Sequence, residues 1–444
     1  MDWHKAPAVE QGRAIMAGLL SPVDLAEGYL DAIARAPLSD RIYARLTPDR
    51  ARSESIAAHD RAKAGLRRSL LDGVPLSWKD NIDSAGIATE AGSLLLEGRV
   101  PDNDAAVLAT ATAQGAVCLG KTHMTELAFS GLGLNPPLAT VPNAFDPALV
   151  AGGSSGGAAV SVALGLAAAA IGSDTGGSIR LPAAWNGLVG FKPTPGAVDM
   201  TGVVPLCARF DVAGPLARTV EDCAELYALI AGAAAPDLRD PPMRGLRLMV
   251  LDGVPFDAAR EAPVTAFEEA VTQLAAAGAH VVHGTPPCVA EAMALSPTLF
   301  APEAYGLWRD QIEAAPELMY PPILERFRGG RDVAAADYVA GWARLDRLRR
   351  DWAAAVAGFD AVILPTAPIL PPDIARLEAD PAFFAAENLL ALRNTRIGNL
   401  LGLPAITLPT RRPACGLMAM GAAGGDRHLL RVAAALETAL RGQD

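Results

Sequence analysis

Between residues 151 and 194 the chain reads AGGSSGGAAVSVALGLAAAAIGSDTGGSIRLPAAWNGLVGFKPT, with five serines and three glycine doublets. Serine hydroxyls beside glycine turns suit acyl transfer. A hydroxyl attacks a carbonyl carbon, and backbone N–H groups of the turn donate to the oxyanion that forms. Glycine accepts positive φ and lets a substrate approach the backbone closely. A serine hydroxyl needs a base, and the six histidines offer no spacing that suggests a Ser-His-Asp arrangement. Lysine is the other option. Its reference pKa of about 10.4 must fall before it can accept a proton, and burial lowers it by disfavouring the ammonium. Lys79 closes the mostly apolar run GVPLSWK, where such burial is expected.

Each piece also has a plainer reading. Ser154 or Ser155 of GGSSGG could cap the following helix, and glycines before a helix could bind phosphate, although the GxxxxGK[ST] spacing is lacking. Lys79 could instead pair with Asp80 or Asp83.

Several elements must hold these residues. Gly156 and Gly157 open an Ala/Val/Leu helix running to about Gly165, and an apolar strand over 166–171 leads into Gly172-Ser173-Asp174-Thr175-Gly176-Gly177-Ser178. Earlier, Ser21 is placed to cap a helix with Pro22 at its first position, Asp24 reaching back, and Leu25, Tyr29 and Ile33 on one face. A second, largely polar helix is expected from Pro48 to about Ala64. From Leu71 onward short apolar runs alternate with Ala-rich helical stretches: GVPLSWKD, AVCLGKT, AAAAIGSD, LRLMVLD, AHVVHG and DAVILPT. That alternation predicts an α/β protein with a large sheet covered by helices. The Pro-rich stretch 235–244 is the candidate hinge, joining two parts of one fold.

Composition narrows the partners. With 444 residues, 51% of them hydrophobic and 20% charged, the chain can bury a sizeable core. The net charge of -11 and the lack of long basic runs argue against nucleic acid. The start MDWHKAPAVEQGR does not read as a secretory signal, so a cytoplasmic location is expected. The run from Ala158 to Ile171 is too short and too interrupted for a membrane span, which takes about 20 residues. Five scattered cysteines fit reduced, buried thiols better than disulfides or a zinc site.

Taken in order, the blocks GVPLSWKDNID, GGSSGG through DTGGSIR to GFKPT, FDVAGPLARTVED, FDAVILPTAP and GNLLGLPAITLP resemble the amidase signature family of serine hydrolases, over residues from about 70 to about 410. The resemblance implies an amidase signature fold, a large central mixed twisted β-sheet with helices on both faces. It implies one domain over 1–444, with a helical segment to about 65, a catalytic core over about 66–236 and a helical pocket-forming region over about 285–350. By the same resemblance Ser178 is the nucleophile, Lys79 the base, and Ser154, 24 residues before Ser178 and preceded by a cis peptide bond, the relay between them. The oxyanion hole then comprises backbone N–H groups of Thr175, Gly176, Gly177 and Ser178, with Ser155, Asp174 and Arg180 in support.

The implied reaction is hydrolysis of a carboxylic amide through an acyl-enzyme, with no cofactor. The expected partner is a small-molecule amide rather than nucleic acid or membrane, with a homodimer left open. Two rivals stand beside it: the A subunit of an aminoacyl-tRNA amidotransferase, and a hydrolase of carbamates or urea derivatives such as carboxybiuret or allophanate. Trp185-Asn186 departs from the Phe-Cys usual at that point in the amidotransferase protein. His123 is expected to be a hydrogen-bonded packing residue, and His280 and His283 to flank a strand at the surface. The segment 288–349, with Phe300, Tyr305, Trp308, Met319, Tyr320 and Phe327, is the expected wall of the substrate pocket.

Overall fold

The computed structural model describes residues 2–239 and 243–442, so residues 240–242 of the Pro-rich stretch lie outside the described residues. Eleven strands form one sheet: β1 (Tyr43–Leu46), β2 (Pro75–Lys79), β3 (Val117–Thr122), β4 (Ala169–Asp174), β5 (Val189–Lys192), β6 (Val212–Ala217), β7 (Arg247–Leu251), β8 (His280–Gly284), β9 (Ala361–Pro365), β10 (Ala405–Pro409) and β11 (Gly416–Met420). Their order across the sheet is β1-β3-β2-β4-β6-β5-β10-β11-β9-β7-β8. Parallel pairs (β3 with β2, β2 with β4, β9 with β7, β7 with β8) flank an antiparallel centre, so the sheet is mixed.

Both faces of the sheet are covered, and the strands record it residue by residue. Leu248 and Val250 of β7, Ile363 of β9 and Leu417 of β11 enter one hydrophobic cluster, while Met249, Leu364 and Met418 enter another. Period-two alternation between two apolar faces is what a sheet sandwiched between helix layers requires. The helices Pro22–Arg35, Val220–Ala231 and Asp426–Arg441 supply the first cluster, and Ser296–Ala314, Ala335–Val356 and Arg393–Leu400 the second.

Local chemistry sets the element ends. The helix Pro22–Arg35 starts as expected, with Pro22 at its first position and the Ser21 hydroxyl accepting from the Asp24 N–H. The polar helix Pro48–Lys63 buries only Ala51, Ser55 and Ala58. The N-terminal segment is not wholly helical, since β1 pairs antiparallel with β3 at the sheet edge.

The strand expected over 166–171 begins three residues later and runs to Asp174. After the helix Gly156–Ala163, the Ser161 carbonyl accepts the N–H groups of Leu166 and Ala167 and holds a turn there. At the far end the strand continues through Ser173 and Asp174, whose polar side chains are hydrogen-bonded inside the protein. The strand therefore carries polar residues of the candidate site as well as leading to it.

Candidate active site

Lys79 is the last residue of β2, and Asp174 is the last of its parallel neighbour β4. Leu76 and Trp78 of β2 are packed in apolar core, while Ser77 bonds Ser161 of the helix Gly156–Ala163 at 2.8 Å. Two residues on, Lys79 reaches the loop before that helix. Its Nζ lies 2.6 Å from Ser154 Oγ and 2.9 Å from Ser173 Oγ, and the lysine is fully buried. Burial pushes its pKa down to about 7, opposed in part by the charges of Asp174 and Asp211.

The structural-lysine alternative does not hold. Asp80 pairs with Arg45 at 3.0 Å and Lys121 at 3.6 Å, and Asp83 pairs with Arg99 at 2.7 Å. The capping alternative fails as well. Ser155 stands at the N-cap position, but its side chain makes no cap bond and donates instead to the Ser173 carbonyl at 3.1 Å.

The Gly153–Ser154 peptide bond is cis. A Cβ on Gly153 would lie 2.5 Å from Thr125 Oγ1 and 2.8 Å from the Gly133 nitrogen, so only glycine fits that approach. The Ser155 N–H donates to the Ser178 carbonyl at 3.2 Å, tying the GGSSGG loop to the DTGGS turn.

The turn itself is built around Asp174. Its Oδ1 accepts from Gly177 N–H and Asn399 Nδ2, each at 2.8 Å, and from Arg180 Nη2 at 3.0 Å. Its Oδ2 accepts from Ile179 N–H and Arg180 Nε, both at 3.1 Å. Burial alone would raise the Asp174 pKa, but Arg180 and these bonds outweigh it and hold the carboxylate at about 2. Thr395, on the helix Arg393–Leu400, donates to the Gly176 carbonyl at 2.8 Å from the other side. Gly177 has φ +138°, and a Cβ there would lie 2.0 Å from Thr395 Oγ1.

One expected donor is otherwise engaged. The Gly177 N–H faces Asp174, whereas Thr175, Gly176 and Ser178 line a cavity of about 280 Å3. Of the four backbone groups expected to face an oxyanion, the Gly177 N–H is therefore taken by the carboxylate that shapes the turn.

Several contributors were missed by sequence reasoning. Ser173 accepts from both Lys79 and Asn81, the latter at 3.0 Å. Asp211 accepts from the Thr175 hydroxyl and from the N–H groups of Leu206 and Cys207, and burial pushes its pKa up to about 6. Asn399 and Thr395 arrive from more than 200 residues along the chain, within or beside the block GNLLGLPAITLP, and that block was their only signal.

The segment 288–349 does wall the cavity, through Met293, Ser296, Pro297, Ala301 and Arg326 as well as Phe300. Of the six residues singled out in 288–349, Phe300 lines the cavity. Trp308 donates to the Pro205 carbonyl, and Phe327 packs edge-on against Phe129, so their bulk supports the wall from behind. Trp185 and Asn186 also lie behind the turn, Asn186 donating to the carbonyls of Ala151 and Pro182 at 2.8 and 2.7 Å.

His123, His280 and His283 do not line the cavity. Burial pushes His123 down to about 4, opposed by its bond to the Asp40 backbone. His280 and His283 lie within β8 rather than beside it, exposed at the sheet edge, with His283 Nδ1 3.0 Å from Asp252. Among the described residues no group of three His, Cys, Asp or Glu could hold a metal, and no helix is long and apolar enough to cross a membrane. All five cysteines are buried free thiols.

With a mixed, two-faced sheet and a buried lysine meeting a serine-glycine loop, the chain belongs to the amidase family, whose model matches residues 24–430. It is an amidase-family hydrolase. It is 34% identical to the A subunit of the glutamyl-tRNA(Gln) amidotransferase of Acidothermus cellulolyticus, covering 99% of this chain and 95% of that protein. It is 35% identical to the 2-amino-5-chloromuconic acid deaminase of Comamonas testosteroni, covering 92% and 90%. Among solved structures, the peptide amidase of Stenotrophomonas maltophilia superposes with a TM-score of 0.82 at 30% identity, covering 99% of this chain and 98% of that one.

Proposed function

We propose that this protein hydrolyses a carboxylic amide through an acyl-enzyme on Ser178, with Lys79 as the base and Ser154 as the relay. The observation that carries this reading is the buried Lys79, held 2.6 Å from Ser154 Oγ with its pKa lowered to about 7 by burial. A lysine so placed is substantially neutral at physiological pH and can accept a proton.

Ser178 Oγ attacks the amide carbon while its proton passes to Ser154, and the Ser154 proton passes to Lys79 Nζ. The new oxyanion meets the N–H groups of Thr175, Gly176 and Ser178. Collapse breaks the C–N bond, and the leaving amine takes its proton back along the same path. Water then attacks the ester, its proton passing through Ser154 to Lys79 Nζ. As the ester C–O bond breaks, that proton returns along the same path to the Ser178 oxygen, freeing the carboxylic acid product, which ionises in water. Ser155, Asp174 and Arg180 hold the two loops in register. No step calls for a cofactor.

The similarity to an amidotransferase component favours a second reading, in which the chain delivers ammonia within an assembly. Carbamates and urea derivatives remain further substrate classes for the same site. On the preferred reading the chain works in the cytoplasm on a small amide, without nucleic acid. Purified protein is expected to hydrolyse simple amides by itself, at an unchanged rate in excess EDTA. Activity that appears only with glutamine, a partner protein and tRNA would replace this reading with the second, and loss of activity with EDTA would contradict the metal-free chemistry.

A further inference from the structure

Two arginines line the same cavity as Ser178: Arg326 from the helix Pro321–Arg328, and Arg396 from the helix Arg393–Leu400. Arg326 donates through Nε to the Phe129 carbonyl at 2.7 Å and lies 4.7 Å from the centre of the Phe129 ring. That leaves its two terminal nitrogens without a protein acceptor among the described residues. Arg396 has no side-chain hydrogen bond and no ion pair among them; its backbone N–H donates to the Leu392 carbonyl.

Their neighbours are satisfied within the protein. Arg328 pairs with Glu313 at 2.8 Å, and Arg393 donates to the Pro255 carbonyl at 2.8 Å. Both cavity arginines are pushed down to about 10, Arg326 by burial and then by the charge of Arg396, and Arg396 by burial. Two like charges on partly buried side chains disfavour one another until an anion completes the arrangement. The guanidinium fork matches a planar carboxylate. Most of the remaining lining away from the turn is apolar, including Phe129, Leu206, Phe300 and Leu392, with Ser130 and Ser296 the polar exceptions, and a volume of about 280 Å3 belongs to the small end of ligand sites.

We infer that the substrate is an anionic amide, carrying on one molecule the scissile amide and a carboxylate that Arg326 and Arg396 bind, with a short apolar spacer between them. This rests on the reading of Ser178 as the nucleophile. The carboxylate then fixes which end of the substrate reaches the turn, and Arg396 determines specificity.

The test compares amides matched in shape and differing in charge: succinamate with 4-methylpentanamide, glutaramate with 5-methylhexanamide, and 4-carbamoylbenzoate with 4-isopropylbenzamide. The wild-type protein is expected to favour at least one carboxylate over its neutral match by about 100-fold or more in kcat/KM, since the neutral analogue leaves two partly buried guanidinium groups without a partner. Arg396→Met should cut that preference by about 30-fold or more, chiefly through KM, and Arg396→Lys should keep part of it because the charge returns without the fork. Thermal unfolding of each variant shows whether it is folded.

Binding separates this inference from the reading beneath it. Calorimetry on the Ser178→Ala protein should detect the carboxylate amides, and addition of Arg396→Met should weaken them. If those amides bind in this way but none is hydrolysed by the wild type, the anion site stands and the hydrolytic reading falls. If neutral amides are hydrolysed as well as their carboxylate matches, if Arg396→Met and Arg396→Lys leave the preference intact, or if no carboxylate amide binds, the inference is overturned.

Discussion

The Lys79 amine, brought to a pKa of about 7 by burial, changes charge in the range where the protein must work. With its neutral form as the proposed base, kcat/KM is expected to rise as pH passes through about 7 and then level off. An unshifted lysine would delay that rise to about pH 10. A limb that disappears when one of the histidines is replaced would contradict the lysine assignment. The relay makes a second demand on the same residues. Lys79→Ala and Ser154→Ala should each lower kcat by roughly 1,000-fold or more, and the double variant should be hardly worse than the poorer single one, because both cut one proton path. Ser155→Ala removes a bond to the Ser173 carbonyl rather than a proton carrier, so steady-state kinetics should show a much smaller loss. Simple multiplication of the Lys79 and Ser154 effects would break the relay.

At the scale of elements, the DTGGS turn is a strand end held by a helix from the far end of the chain. Asp174, last in β4, gathers the N–H groups of Gly177 and Ile179 together with Arg180 and Asn399. Asp174→Asn would leave the Arg180 guanidinium, which is fully buried, without its counter-charge. The expected cost is about 3–5 kcal/mol of stability, with a fall in kcat of about 100-fold or more as the oxyanion donors lose their alignment. Denaturant unfolding and kinetics on the folded fraction check the two parts separately. Much of this element was legible: glycine spacing marked the turn, and the apolar run ending in Lys79 marked a buried strand. The strand offset was not, because its start depends on a turn closed by the Ser161 carbonyl and its end on polar partners elsewhere. Nor were Ser173, Asp211, Thr395 or the cavity arginines, since no spacing within a segment records which distant helix will pack against it.

Across the whole molecule, the sheet brings the pieces together out of sequence order. Lys79 and Asp174 end neighbouring parallel strands, while β10 and β11, from the last fifth of the chain, lie in the middle of the sheet beside β5 and β9. The helix that positions Asn399 and Thr395 immediately precedes β10, so the part of the chain that completes the sheet also completes the site. Alternating apolar runs foretold a sheet with two covered faces, but strand order is a property of packing that no run contains. The central claim, that Ser178 carries the acyl group, can be read on the intact protein. Incubation with an activated acyl donor that deacylates slowly, followed by rapid acid quench and mass spectrometry, should show one added acyl group, mapped by proteolysis to Ser178. The Ser178→Ala protein should gain none. An acyl group found on Ser154 or on a cysteine, or labelling that survives in Ser178→Ala, would contradict the account.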